Sequence, residues 1–248
     1  MSISSCCVKG FEWDGTPNGR TEQLAGLDTY VTGDNSKAAV LVIHDLFGWT
    51  FPNIRLLADH YAKEADVTAY VPDFFGGDSL PADLLAAEKW GEMDMAGFLG
   101  RNSRGIREPE ISAFAKSLRE KYTKVGAIGF CYGGWAVFRL GAKEHEPPLV
   151  DCVSAGHPSL LKAEDIDGVN VPVQILAPEI DPVYTAELKL HTFQHLQAVG
   201  LPFDYQHFPG VVHACLVRGD PEKTGERAAL ERGKNAAVAW MRQFLHEG

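Results

Sequence analysis

Runs of apolar and β-branched residues recur along the chain, and segments with helical spacing lie between them. The runs are nearly continuous rather than alternating, which indicates strands covered on both faces, as in a parallel sheet. The predicted strands are Ala39–Ile43, Val67–Val71, Lys124–Phe130, Leu149–Ala155, Val171–Ala177 and Phe203–Phe208. This alternation predicts an α/β fold with one doubly wound, mostly parallel sheet flanked by helices. Ligands of such sheets bind beyond the carboxyl ends of the strands.

Two segments show the helical spacing most clearly. In residues 108–122, Pro109 suits the first turn of a helix, and the apolar residues follow the i, i+3, i+4, i+7 pattern of one buried face. The same spacing recurs near the end of the chain. The predicted buried positions are Ile111, Phe114, Ala115 and Leu118 in the first helix and Ala237, Trp240, Met241 and Phe244 in the last. No internal repeat, low-complexity tract or linker interrupts the pattern, so residues 1–248 are expected to form one domain.

The segment GFCYG at 129–133 lies where a predicted strand meets a predicted helix. It matches the nucleophile elbow G-x-S-x-G of α/β hydrolases, with cysteine in place of serine. Such a sharp turn exposes the central side chain and requires small residues two positions away on either side, as Gly129 and Gly133 are. The amino terminus of the following helix favours a thiolate. A buried structural thiol in a tight turn is the alternative, but the placement favours an α/β-hydrolase fold with Cys131 as nucleophile.

The base and its orienting acid are expected after the nucleophile, in the chain order Cys, Asp, His. Asp181 follows a core strand and His213 follows the last predicted strand, so both reach the sheet edge at which Cys131 lies. His207 is the rival base but falls inside a strand pattern, and Glu179 and Asp204 are the rival acids. The sequence therefore predicts a triad of Cys131, His213 and Asp181.

Net charge, the lengths of apolar runs and the motifs present argue against several classes of protein. The 248 residues carry a formal net charge of −10, which argues against nucleic acid as a partner because a phosphate backbone demands a basic surface. No apolar run of ~18 residues appears, so no membrane span is expected. Neither a phosphate loop nor a dinucleotide motif is present, and His191 and His195 lack the glutamate of a metalloprotease helix. We expect no cofactor and no metal.

The five cysteines stand at positions 6, 7, 131, 152 and 215 and cannot all pair. The amino-terminal MSISSCCVKG has no apolar core of a secretory signal. Free thiols indicate a reducing compartment, and the cytoplasm is the expected location. The sequence indicates no role for the adjacent Cys6 and Cys7.

Several segments together resemble the dienelactone hydrolase (carboxymethylenebutenolidase) family, especially its fungal and eukaryotic branch. The matching segments are VIHDLFGWTFPNIRLLAD at 42–59, VPDFFGGD at 71–78, GFCYGGW at 129–135, the aspartate of EIDP at 179–182, and HACLVRGD at 213–220. They are spread over the whole chain, which makes the combination more specific than any one segment. The resemblance implies an α/β-hydrolase fold and the hydrolysis of small esters or lactones through an acyl-enzyme.

The resemblance also implies roles for residues around the triad. An acid that contacts the resting thiol matches Asp45, for which a carboxylate that caps the end of the strand is the alternative. The backbone N–H groups of the oxyanion hole match Leu46 and Tyr132. Arg218 is the nearest match to an arginine that holds a substrate carboxylate, although it lies five residues after His213 where relatives often show four. A second family arginine matches one of three positions, between which the sequence does not decide: Arg101, Arg104 and Arg107. Phe47, in a cluster of aromatics at loop ends, is a further candidate to line the substrate pocket.

Three functions agree with these residues. The first is a hydrolase of small cyclic esters that carry a carboxylate, and the second is a broader carboxylesterase or thioesterase with the same triad. The third is a family member that binds ligands without turnover, against which the intact triad weighs. The expected partner is a small-molecule ester or lactone, and either a monomer or a homodimer is compatible with the sequence.

Overall fold

A computed structural model of the chain describes residues 13–78, 80 and 92–247. Eight strands in these residues form one sheet. The strands are β1 (Arg20–Leu24), β2 (Leu27–Thr32), β3 (Ala38–Ile43), β4 (Thr68–Pro72), β5 (Lys124–Phe130), β6 (Cys152–Gly156), β7 (Val173–Ile180) and β8 (Phe203–Val212). Their order across the sheet is β1-β2-β4-β3-β5-β6-β7-β8.

Eight helices accompany the strands within the same residues. The helices are α1 (Pro52–Ala65), α2 (Met95–Arg101), α3 (Arg104–Lys121), α4 (Gly133–Leu140), α5 (Ala163–Gly168), α6 (Ala186–Val199), α7 (Cys215–Arg218) and α8 (Thr224–His246). Of the helices described, none has both the length and the apolar character needed to cross a membrane.

The sheet confirms the predicted α/β architecture. All six predicted strands are present and run parallel, from β4 at one side to β8 at the other. The two remaining strands, β1 and β2, form a hairpin that joins β4 in the antiparallel direction. Ala25 and Gly26 make its turn with φ of 51° and 81°, which suits the two-residue turns of β-hairpins.

The sheet separates two apolar layers because successive side chains of a strand point to opposite faces. In β3, for example, Leu41 packs on one side and Val42 on the other. Helices α3, α4, α5 and α6 cover the first face, and α1 and α8 cover the second. The buried face predicted for α3 is confirmed, and in α8 three of the four predicted positions are buried while Phe244 is half-buried.

Several predicted boundaries differ from the observed ones, and two of them bear on the helices and the site. Helix α3 begins at Arg104, so Pro109 lies inside the helix rather than in its first turn. The missing amide hydrogen of Pro109 deprives only the Gly105 carbonyl of a helical hydrogen bond, and this cost lies near the exposed end of the helix. Strand β8 continues past Phe208 to Val212, which brings His213 directly to the end of the strand.

Candidate active site

Cys131 lies in a sharp turn between β5 and α4, with a φ of 49° that few non-glycine residues adopt. The flanking glycines have no room for a side chain. A Cβ on Gly129 would lie 2.2 Å from the Gly133 carbonyl oxygen, and a Cβ on Gly133 would lie 2.3 Å from the Ile43 carbonyl oxygen. The thiol is buried, so the exposed side chain expected at the centre of this turn is not observed. This is the geometry of a nucleophile elbow.

His213 and Asp181 form a buried pair beyond the ends of β8 and β7. His213 Nδ1 lies 2.9 Å from Asp181 Oδ2, and both side chains are fully buried. The other carboxylate oxygen of Asp181 accepts hydrogen bonds from the backbone N–H groups of Val183 and Tyr184, at 3.0 and 2.9 Å. The Asp181 carboxylate is therefore fixed from both sides and orients the imidazole of His213.

Ser159 contacts both the thiol and the imidazole. Its Oγ is 3.3 Å from Cys131 Sγ and 3.4 Å from His213 Nε2. The sequence analysis did not select this residue, which has no characteristic spacing from the elbow. The available signal is its place just after the strand next to β5, at the edge where Cys131, Asp181 and His213 also lie.

The surroundings of His213 favour its protonated, positively charged form. Burial alone would lower the pKa of His213, but the negative charge of Cys131 and hydrogen bonds to Asp181 and Cys131 outweigh it and raise the pKa to about 10. In contrast, burial raises the pKa of the Cys152 and Cys215 thiols above the ordinary value. Cys131 and His213 are therefore arranged to stabilise each other as thiolate and imidazolium.

Asp45 forms a buried ion pair with Arg218 beside this group. Arg218 Nε lies 2.6 Å from Asp45 Oδ2, and Asp45 Oδ1 accepts a hydrogen bond from the Phe47 backbone N–H at 2.9 Å. The guanidinium also stacks on the half-buried Phe47 ring, 4.2 Å from its centroid. Burial raises the pKa of the Asp45 carboxyl, with Arg218 opposing the rise and the charge of Cys131 adding to it. Asp45 is thus close enough to Cys131 to respond to its charge.

The two residues predicted to supply the oxyanion hole, Leu46 and Tyr132, both lie at this edge of the sheet. Leu46 is inside the turn closed by the hydrogen bond from Gly48 N–H to the Asp45 carbonyl, at 3.1 Å. Tyr132 directly follows Cys131. Its side chain is buried and donates to the Asn102 carbonyl at 2.6 Å.

The three further candidate arginines all have partners within the protein. Arg101 pairs with Asp78 at 2.9 Å in an exposed position. Arg104 binds both carboxylate oxygens of Asp165, at 2.6 and 2.8 Å. Arg107 binds Glu110 at 2.8 Å and also donates to the Phe75 carbonyl at 2.9 Å.

The rival triad members lie away from this group. His207 is exposed on β8. Glu179 accepts a hydrogen bond from the Gly210 backbone, and Asp204 accepts one from Gln174. His191 and His195 both contact Asp167, and no cluster suited to a metal ion occurs in the part of the chain that the structure describes. Cys6 and Cys7 lie outside the described residues.

His157 is a second buried histidine that the sequence analysis did not select. Its ring packs edge-on against His213, with 4.9 Å between the centroids, and its φ is 38°. Burial lowers the pKa of His157 well below the ordinary value, and the charges of His213 and Arg218 lower it further. The neutral ring of His157 therefore supports one side of the imidazole of His213.

Comparison with known proteins agrees with this geometry. Residues 27–245 match the dienelactone hydrolase family. The chain belongs to this family. As a dienelactone hydrolase family member it is a hydrolase of lactone or ester bonds. It is 30% identical to the hydrolase tropI of Talaromyces stipitatus over 100% of this chain and 98% of that protein. It is 28% identical to the human carboxymethylenebutenolidase homolog over 92% of this chain and 91% of that protein.

Solved structures share the dienelactone hydrolase fold. The dienelactone hydrolase-like promiscuous phosphotriesterase P91 from metagenomic libraries is similar with a TM-score of 0.68 at 17% identity, over 92% of this chain and 98% of that one. Carboxyl esterase 2 of the mycorrhizal fungus Tuber melanosporum is similar with a TM-score of 0.64 at 13% identity, over 96% and 91%. At these identities the likeness concerns the fold alone.

Proposed function

We propose that this dienelactone hydrolase family member cleaves small esters or lactones through a Cys131–His213–Asp181 triad and a covalent acyl-enzyme. The observation that carries the proposal is a continuous series of contacts. The Asp181 carboxylate contacts His213, and His213 contacts Cys131 both directly and through Ser159 Oγ. An imidazole oriented by a carboxylate and placed beside a thiol is the arrangement that activates a nucleophile.

In the first half of the reaction, the Cys131 thiolate attacks the carbonyl carbon of the substrate. The backbone N–H groups of Leu46 and Tyr132 hold the developing oxyanion, and such donors contribute ~3–4 kcal/mol each in comparable sites. The carbon–oxygen bond to the leaving group then breaks, and the imidazolium of His213 gives its proton to the leaving oxygen. The raised pKa of His213 supports this role, since it keeps the proton available at neutral pH.

In the second half, the neutral imidazole of His213 takes a proton from a water molecule, which attacks the thioester carbonyl. The tetrahedral intermediate collapses, the carboxylic acid product leaves, and the thiolate–imidazolium pair forms again. Asp181 keeps the ring in the orientation needed for both proton transfers.

The Asp45–Arg218 pair supports a substrate with its own carboxylate. A guanidinium binds a carboxylate in a planar fork, so a substrate carboxylate competes with Asp45 for Arg218. Release of Asp45 would free its carboxylate near Cys131, where it can accept the thiol proton in molecules in which Cys131 has not yet passed that proton to His213. Phe47 holds the guanidinium in place and would line the pocket. A lactone that carries a carboxylate is therefore the favoured substrate, and uncharged esters and thioesters are the alternative.

Replacing the proposed nucleophile tests the mechanism directly. Cys131→Ala is expected to abolish the hydrolysis of 4-nitrophenyl acetate and of a dienelactone, because no other group takes over the attack. Cys152→Ala is the matched control, since Cys152 is also buried but lies in β6 against Met241, and this variant should keep wild-type activity. Mass spectrometry of the enzyme during turnover should find the acyl group on Cys131 only. Wild-type rates in the Cys131→Ala variant would show that the nucleophile lies elsewhere.

A further inference from the structure

Ser159 lies in a loop that is attached to the nucleophile elbow by backbone hydrogen bonds. The Cys131 N–H donates to the Gly156 carbonyl at 3.1 Å, and the Ser159 N–H donates to the Cys131 carbonyl at 2.8 Å. Between them, Pro158 packs against the start of α4 so closely that a Cβ on Gly134 would lie 2.4 Å from the Pro158 Cβ. The backbone of Ser159 therefore cannot move without the elbow.

Arg104, at the start of α3, fixes the other end of the same loop at Leu160. Arg104 donates to the Leu160 carbonyl at 2.9 Å while it binds Asp165, and its guanidinium stacks on Trp135, 4.7 Å from the ring centroid. Both His157 and Leu160 have positive φ, at 38° and 58°. Non-glycine residues keep this conformation only where the surroundings fix it, and such sites are often functional. These contacts thus fix the position of the Ser159 side chain.

The Ser159 hydroxyl lies beside both the proposed nucleophile and the proposed base. A serine hydroxyl has one hydrogen and two lone pairs, so it can accept a hydrogen bond from one partner and donate to another at the same time. With Sγ at 3.3 Å and Nε2 at 3.4 Å, Ser159 has two such partners. It is nine-tenths buried, which strengthens these contacts because bulk water does not compete for them.

We propose that Ser159 is a catalytic residue whose hydroxyl contacts both Cys131 Sγ and His213 Nε2 and stabilises the thiolate–imidazolium pair of these two groups. This inference rests on the function proposed above for Cys131 and His213. The thiol proton passes directly from Cys131 Sγ to His213 Nε2, since His213 has its own side-chain hydrogen bond to Cys131. One proton has then moved from sulfur to nitrogen, and Ser159 keeps its own hydrogen throughout.

In the ionised pair Ser159 Oγ–H donates a hydrogen bond to the thiolate. The Ser159 oxygen also accepts a weaker share of His213 Nε2–H, whose main acceptor is the thiolate. A hydrogen bond to a charged group contributes more than one between neutral groups, so Ser159 favours the thiolate over the thiol. Loss of the hydroxyl should therefore make Cys131 harder to ionise.

The test measures thiolate formation separately from turnover. Iodoacetamide reacts with thiolates, and peptide mapping assigns the product to Cys131. The rate is followed from pH 4 to pH 10 in wild-type enzyme and in Ser159→Ala, together with the pre-steady-state burst of 4-nitrophenol from 4-nitrophenyl acetate. Ser154→Ala is the matched control, because Ser154 is buried in β6 but donates to Gln174 at 2.7 Å, away from the thiol.

We expect Ser159→Ala to move the midpoint of alkylation upward by about one to two pH units and to slow the burst by ~10- to 100-fold. Ser154→Ala should leave both unchanged. The pair Ser159→Thr and Ser159→Val separates the hydroxyl from packing, since the two side chains have nearly the same shape. The threonine variant should keep a midpoint close to that of the wild type, and the valine variant should behave like alanine.

Equal profiles for the threonine and valine variants would overturn the role of the hydroxyl, as would an unchanged midpoint in a folded Ser159→Ala variant. Either result leaves the proposed function intact so long as Cys131→Ala is inactive. If Cys131→Ala keeps activity that Ser159→Ala then removes in the double variant, serine is the nucleophile and both proposals fall.

Discussion

At the scale of single residues, substrate choice is expected to depend on the buried Asp45–Arg218 pair. Arg218→Ala should lower kcat/KM for a dienelactone that carries a carboxylate by ~10- to 100-fold, because a charge-assisted hydrogen bond is lost. The neutral 4-nitrophenyl acetate should be affected far less. Both substrates are measured at fixed ionic strength, since salt screens the repulsion expected from a chain of net charge −10.

A control must separate an effect on substrate binding from an effect on folding, because Arg218→Ala leaves the buried Asp45 carboxylate without this ion pair. Breaking a buried ion pair at one partner costs ~3–5 kcal/mol of stability, whereas removal of both charges costs less. The double variant Asp45→Asn/Arg218→Met is therefore the comparison. It should recover stability and activity toward the neutral ester but remain poor toward the charged lactone. Equal losses for both substrates in both variants would mean that Arg218 has only a structural role.

At the scale of elements, five neighbouring strands build the site, each with one residue just beyond its carboxyl end. These residues are Asp45 after β3, Cys131 after β5, Ser159 after β6, Asp181 after β7 and His213 after β8. Parallel strands bring all these ends to one edge, so chain order and strand pattern predicted that Cys131, Asp181 and His213 would lie together. Asp45 was indicated only by the family resemblance, and Ser159 was not predicted. The elbow was predictable because its glycines are forced by backbone contacts that leave a sequence signature.

Other features could not be predicted, for physical reasons that differ from one to the next. Strand β1 is short, polar and mostly exposed, so no apolar pattern indicates it, and its pairing with β2 depends on the turn at Ala25 and Gly26. Ser159 is positioned by strained backbone and by contacts with the elbow, none of which a single sequence displays. The Asp45–Arg218 pair joins residues far apart in the chain, and it forms only once α7 has packed against α1 and α8.

The elbow also permits a prediction about stability. In Gly133→Ala the new Cβ would lie 2.3 Å from the Ile43 backbone, which cannot give way as a flexible side chain does. We expect a loss of at least ~1–3 kcal/mol in the free energy of unfolding, with a fall in activity as the elbow shifts. Gly105→Ala, exposed in α3 with nothing within 4 Å of its added Cβ, should instead gain up to ~1 kcal/mol. Urea denaturation of the two variants provides the comparison, and equal effects would contradict the packing argument.

At the scale of the whole molecule, buried histidines couple the fold to pH. Burial lowers the pKa of both His44 and His157, so each binds a proton less readily in the folded protein than in the unfolded chain, where a histidine has a pKa of ~6.5. The unfolded state then binds more protons, and stability must fall as the pH decreases from ~6.5. His213 acts in the opposite sense, because its raised pKa contributes stability that is fully present below ~6.5 and is lost as the pH rises toward about 10.

His157→Phe isolates one of these contributions, since phenylalanine fills similar space and does not titrate. Between pH 6.5 and pH 5, each histidine that stays neutral in the fold lowers stability by up to ~1.4 kcal/mol per pH unit. The free energy of unfolding, measured in urea at several pH values, should therefore decline less steeply in this variant than in the wild type. His207→Gln, at an exposed position on β8, should reproduce the wild-type slope. His213 does not disturb the comparison, because its contribution is constant below ~6.5. Parallel curves for wild type and His157→Phe would mean that His157 gains its proton without unfolding, and that the charges of His213 and Arg218 do not oppose it.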